Sequence, residues 1–262
     1  MAASIQLLST LSSTLNNGTN VFQTPSTPQS IINQDGGTST SVAGSTGVTA
    51  NDARIRLRCM RSQEQQVYGD PLDSNILAVL NPNYKSGTDG LLFPYTPSIS
   101  VNQEVDYRDI GAMTHTIGDI LSYNHTPSVK LSVTADFTVQ NQREGRYALA
   151  AIHFLRTASK MHFGQTDKLA GLPPPILIFT GYGNFMFNNL PVILKSHSFN
   201  LDKSHNMISI QTAGGTASLP AMFQIQLELQ VQQTPTAMRT KFNLEKFRTG
   251  ELLSASNEPG WI

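Results

Sequence analysis

Two stretches of strict two-residue alternation constrain this chain more than any other feature. In residues 128–140, SVKLSVTADFTVQ, the side chains of Val129, Leu131, Val133, Ala135, Phe137 and Val139 fall on one side, and those of Lys130, Ser132, Thr134, Asp136 and Thr138 on the other. Residues 222–232, MFQIQLELQVQ, repeat the pattern: Phe223, Ile225, Leu227, Leu229 and Val231 alternate with Gln224, Gln226, Glu228, Gln230 and Gln232. Successive side chains of a strand point to opposite faces. Each stretch therefore predicts one apolar and one wetted face, as in an antiparallel sheet solvated on one side. Burying one such side chain stabilises by roughly 1.5–3 kcal/mol, so the two faces supply much of a core.

Between these strands the period changes. Over about 143–163, Tyr147, Ala150, Ala151, Phe154, Leu155, Ala158 and Met161 recur at helical spacing, and Gly164 offers a stop. Arg143, Arg146, Arg156 and Lys160 lie off that stripe. Solvated charge is the ordinary reading of such residues. The functional reading is a candidate subunit interface that pairs with carboxylates on a neighbour.

Further strands are expected at 54–59, where Arg54, Arg56 and Arg58 alternate with Ile55, Leu57 and Cys59, and at 176–181, 185–200 and 206–212. In residues 91–101, Pro94 and Pro97 confine any strand to an edge or to two short pieces. Several strands, one helix and several more strands make an α+β fold, mainly antiparallel, with the sheet curled or closed into a barrel. Residues 1–52 read as a low-complexity N-terminal arm rich in Ser, Thr, Asn, Gln and Gly, 53–250 as the β domain, and 251–262 as a C-terminal tail.

Charge narrows the function classes. Eighteen basic and eighteen acidic residues cancel, and charged residues are only 14% of the chain. No overall basic excess marks a nucleic-acid binder. A surface built from neutral polar side chains can pack against neighbours with little charge desolvation. The single cysteine, Cys59, excludes an intrachain disulfide. Met1–Ser9 lacks the basic and apolar regions of a secretion signal, so the Asn17-Gly18-Thr19 sequon is not expected to be glycosylated, and no apolar run predicts a membrane span.

Catalytic patterns are sparse. His153 and His162 are nine residues apart, not four, so a helix would not aim both at one metal. His115, His125, His197 and His205 have no ligand-spaced Cys, Asp or Glu beside them. Cys59 sits in a strand pattern as a small core residue. No nucleophile elbow, phosphate loop or dinucleotide fingerprint occurs. No catalytic residue, metal or cofactor is expected.

From Phe137 onwards the order of motifs carries a resemblance. FTVQNQREGRYALAAIHFLRTASKMHFGQ, followed by AGLPPPILIFTGYGNFMFNNLPVILKSHSFNLD, resembles baseplate tube proteins of contractile-tailed phages of the T-even type. The match covers the strand around Phe137, the helix 144–163, the segment 173–193 and, more loosely, 222–232. The resemblance implies a tail-tube-like β-barrel or sandwich of two antiparallel sheets with one packed helix. It implies a hexameric ring around a DNA channel at the junction of baseplate and tube, which initiates tube polymerisation in the virion after synthesis in the host cytoplasm. Implied partners are further copies of the chain, the hub and tube rings, and sheath and tape-measure proteins, with non-specific DNA passage and no membrane. Hub-proximal and tube-proximal relatives share this fold, and the main tube subunit and the tail terminator stay open as alternatives. On this reading the candidate lumen face is Gln224, Gln226, Glu228 and Gln230. A β-sandwich gripping receptor glycans through Tyr182, Phe185 and Phe187 is a competing reading, and a cell-wall hydrolase is a third.

Overall fold

The computed structural model describes residues 54–69, 76–84, 87–111, 115, 117–183, 185–201, 206–212, 214–254 and 260–262. All belong to one structural unit. The reading of 1–52 as an arm lies outside the described residues.

The two alternating stretches form neighbouring strands in the middle of a sheet. β1 is Arg56–Cys59, β2 Leu91–Leu92, β3 Ser98–Asn102, β4 Asp106–Asp109, β5 Leu121–His125 and β6 Lys130–Thr138. β7 is Leu177–Gly181, β8 Phe187–Asn200, β9 Met207–Thr212, β10 Gly215–Pro220 and β11 Met222–Val231. Seven of them form one sheet in the order β2-β1-β7-β8-β11-β6-β3, and every pairing is antiparallel. β9 pairs with β10 and β4 with β5 as separate two-stranded ribbons. The fold is α+β and mostly antiparallel. Among the described residues β2 and β3 do not pair, so the sheet has two edges where the sequence predicts a barrel or sandwich.

The register makes the faces coherent. Phe223 opposes Phe137, Ile225 opposes Ala135, Leu227 opposes Val133 and Leu229 opposes Leu131. All eight are at most 5% exposed. Phe137 stacks on Phe223 with ring centroids 5.4 Å apart. The prolines act as expected: 91–101 splits into two short strands, and both are edges.

Helix α2, Gln142–Ala158, covers the apolar face, after a short α1 at Glu64–Tyr68. Its start is a reciprocal cap. The Asn141 side chain accepts from the Glu144 N–H at 3.0 Å, and the Glu144 carboxylate accepts from the Gln140 N–H at 2.9 Å. Ala148, Ala150, Ala151, Phe154, Leu155 and Ala158 are buried and belong to the same apolar cluster as the inner face of the sheet. Gly145 touches β9: a Cβ there would lie 2.6 Å from the Ile210 Cγ1.

The helix stops five residues before the expected 163. Ser159 caps it, with its N–H on the Leu155 carbonyl. The chain is then drawn away by a backbone pair, His162 N–H to the Leu172 carbonyl at 3.0 Å and Gly171 N–H to the His162 carbonyl at 2.8 Å. Met161, expected on the buried stripe, is 50% exposed, and Gly164 lies in the following loop.

Three short helices follow β11: α3 at Pro235–Thr240, α4 at Leu244–Arg248 and α5 at Glu251–Ser254. The end of the chain returns to β8, where the Gly260 N–H meets the Asn189 carbonyl at 3.0 Å. No described helix is long and apolar enough to cross a membrane.

Edge strand β2 is held by a side chain. The Tyr147 hydroxyl accepts from the Leu92 N–H at 2.8 Å and donates to the Leu92 carbonyl at 2.6 Å. It thereby replaces the neighbouring strand that β2 lacks. Burial pushes the phenol up to about 12, so it stays protonated and able to donate. Tyr147→Phe strands both backbone groups in a largely buried place, and a loss of about 1–3 kcal/mol is expected in urea denaturation.

Candidate assembly surfaces

The four residues expected to line a lumen share one face of β11. Gln226 and Glu228 are exposed, and Gln224 and Gln230 are half-buried. Their neighbours extend the polar surface in rows across the sheet. Ser98, Thr134, Gln226 and Ser198 form one row, and Ser100, Ser132, Glu228 and Ser196 the next. The side chains bind one another. Gln224 Nε2 donates to Asp136 Oδ1 at 3.0 Å, Gln226 Nε2 to Gln224 Oε1 at 3.1 Å, and Ser196 Oγ to Glu228 Oε2 at 2.8 Å. A bulge beside Glu228 places Lys195 between the paired residues Leu194 and Ser196. A shallow depression of about 480 Å³ there is lined by Lys130, Lys195, Glu228 and Gln230. The contributions of β3 and β8 were visible only as the short alternations SISVN and SHSFN, which do not reveal their neighbours.

The four basic residues divide differently. Arg143, Arg146 and Arg156 lie on α2, whereas Lys160 lies beyond its end. All four are exposed. Arg146 Nε donates to the Gln211 carbonyl at 3.1 Å, fastening β9 to the helix. The Arg156 guanidinium sits 5.8 Å from the centroid of the Phe199 ring. The His197 ring lies beside it, tilted by 57°, with centroids 5.1 Å apart. Burial first, then the charges of Arg156 and Lys160, hold the His197 imidazole below its ordinary range. Burial and Arg156 do the same to His153.

The arginines of β1 serve the fold. Arg56 donates to the Thr88 carbonyl at 2.7 Å, and Arg58 to Asn189 Oδ1 at 2.8 Å. Arg58 and Arg61 both approach the buried carboxylate of Asp89, at 3.7 and 3.8 Å. Burial raises that carboxyl above its usual range despite the arginines. Beside it, Gly90 has φ +92, and a Cβ there would lie 2.6 Å from the Leu57 carbonyl oxygen, so only glycine fits.

Other sequence candidates separate in space. His162 lies in the loop after the helix, not on it. It meets Asp167 Oδ2 at 2.8 Å and the Gln66 carbonyl at 3.1 Å, which is a fastening role. His125 approaches Asp106 at 3.3 Å. Among the described residues no three His, Cys, Asp or Glu side chains converge on a metal-sized site. Cys59 is buried, and burial above all pushes its thiol up to about 12. Tyr182 and Phe185 are exposed, but Phe187 is in the core against Phe179 at 5.1 Å, so the three do not share an aromatic platform for a sugar.

One surface was missed. The β4–β5 ribbon continues outward from the β3–β6 pair. Every residue of β5 is exposed, as are three of the four in β4. No protein-family model matches the chain, and no curated protein matches it.

The depressed imidazoles give a signed pH dependence. The unfolded chain takes up these protons near pH 6.5, before the folded chain does. Stability therefore falls as pH drops through that value, and continues to fall until the folded groups also titrate. Thermal melts between pH 7.5 and 5 should show a declining midpoint, and His197→Gln should flatten the slope.

Proposed function

We propose that the chain is a structural subunit of a contractile phage tail, forming a ring where the baseplate meets the tail tube and starting tube polymerisation. The observation that carries this reading is the polar face of the main sheet. It spans four adjacent strands and is covered on its other side by the core and α2. Its hydroxyls and amides are tied to one another, and Lys130 and Lys195 balance Asp136 and Glu228. A surface of this kind facing a channel neither grips nor repels a passing phosphate backbone. The ordered motifs between Phe137 and Phe199 support the same reading.

The open sheet fits the proposal physically. Exposed strand edges invite pairing with another chain, and a ring covers them. The barrel expected from the sequence is then built between copies, each lending a curved sheet to a tail-tube-like inner wall. The hub ring lies on one side and the first tube ring on the other, with sheath and tape-measure proteins as further neighbours.

Cryo-electron microscopy of intact tails tests this. One hexameric ring between hub and tube is the expected result. Repetition along the whole tail makes the chain the main tube subunit, a single ring at the far end makes it a terminator, and absence from the axis overturns the reading. In addition, Gln226→Lys combined with Gln230→Lys repeats a set of cations around the channel. Infectivity per assembled particle should drop by about tenfold or more. An unchanged value would show that this face does not meet DNA.

A further inference from the structure

The β4–β5 ribbon is built in a way its own chain does not explain. A two-stranded ribbon alone is marginally stable in water. Yet this one displays Val105, Tyr107, Ile110, Ile120, Leu121 and Tyr123, each between 45% and 60% exposed. Tyr107 and Tyr123 pack edge to face at 6.1 Å, which stiffens the ribbon without covering it. Tyr107, Leu121 and Tyr123 share one face of the ribbon, and exposed apolar side chains grouped in this way mark an interaction site. The ribbon is also acidic. Across residues 103–128, Glu104, Asp106, Asp109 and Asp119 face a single Arg108. Glu104 lies 3.8 Å from Lys130, and Asp106 is met by His125 and Asn124. Asp109 binds only the nearby Gly111 N–H, and no ion pair engages either Asp109 or Asp119 among the described residues.

Helix α2 offers the complement. Arg143, Arg146, Leu149, His153 and Arg156 recur at three- and four-residue spacing, so they form one stripe. None of its arginines, nor Lys160 beyond it, forms an ion pair among the described residues. Arg146 and Arg156 are nevertheless held in place, by the Gln211 carbonyl and the Phe199 ring. Leu149 gives the stripe an apolar centre. The run from Arg143 to Arg156 is about 20 Å long at the helical rise, and the strand run from Glu104 to Asp109 about 17 Å, so the ribbon can lie along the stripe, with Asp109 and Asp119 together at one end because Asp109 opposes Leu121.

We infer that the β4–β5 ribbon of one copy docks on the Arg143–Arg156 stripe of a second copy. Asp109 and Asp119, side by side at one end of the ribbon, meet the arginines of the stripe, and the ribbon's apolar side chains settle around Leu149. The two patches differ, so the contact is head-to-tail, and repetition by a closing rotation gives a ring. In that last step the inference rests on the ring reading above.

The test uses two charge-reversed full chains in sedimentation runs over a concentration series. One carries Asp109→Lys and Asp119→Lys, the other Arg146→Glu and Arg156→Glu. Each alone places like charges in the contact, and its self-association should weaken by about tenfold or more relative to the natural chain. Mixed in equal amounts, they restore opposite charges at every contact of an alternating assembly, and association should return to within about threefold. A folding defect in either variant is not rescued by mixing. The inference is overturned if the natural chain stays monomeric throughout, if the variants associate as it does, or if mixing restores nothing. It is also overturned if the arginine variant loses retention on duplex DNA while associating normally, which assigns the stripe to phosphate. Electron micrographs separate the two readings. Rings that persist in the variants retain the ring and refute this contact. Rescued complexes that are open chains retain the contact and refute the ring.

Discussion

The pairing of β6 with β11 is the constraint on which the structure depends. Their register runs from Met222 opposite Thr138 to Gln230 opposite Lys130 without a break. A slip of one residue would turn five apolar side chains of β11 to water and bring its glutamines into the core. With the register set, one face must be covered, and α2 covers it. The other face must be polar, and it is polar across four strands. The buried surface of α2, rich in alanine, answers the same demand.

The molecule thus presents three surfaces of different physical character. The polar sheet face is neutral and bound to itself. The stripe on α2 is basic, and none of its arginines forms an ion pair among the described residues. The β4–β5 ribbon is acidic and apolar. Such segregation is uncommon on a surface that meets only water, where scattered charge serves as well. It suits a chain whose neighbours differ from side to side. The cluster around the buried Asp89 is different, because Arg56 and Arg58 there hold the Thr88–Asp89 loop to the sheet, with Arg61 approaching the same carboxylate from the surface.

Much of this was legible locally. The stripe from Tyr147 to Ala158 shows a helix because its residues lie within one or two turns of one another, although the cap of Asn141 with Glu144 went unread. Pro94 and Pro97 divide their segment because proline cannot donate to a ladder. The end of α2 was not legible, because its periodicity runs on through Met161 and the stop comes from His162 pairing with Leu172. The β4–β5 ribbon escaped notice for a related reason. With both faces wet, DYRD and LSYNH have no alternation to show.

The sequence by itself determined the two long central strands, which side of each is apolar, and the existence of the principal helix. These properties depend on residues within a few positions of one another. Only the tertiary structure decided the strand order β2-β1-β7-β8-β11-β6-β3, and with it the rows that join Ser98 and Ser100 to Gln226 and Glu228. It alone placed Phe199 under Arg156 and left the ribbon uncovered. Pairing between distant segments is chosen by the fit of whole faces, and no short-range period encodes that choice.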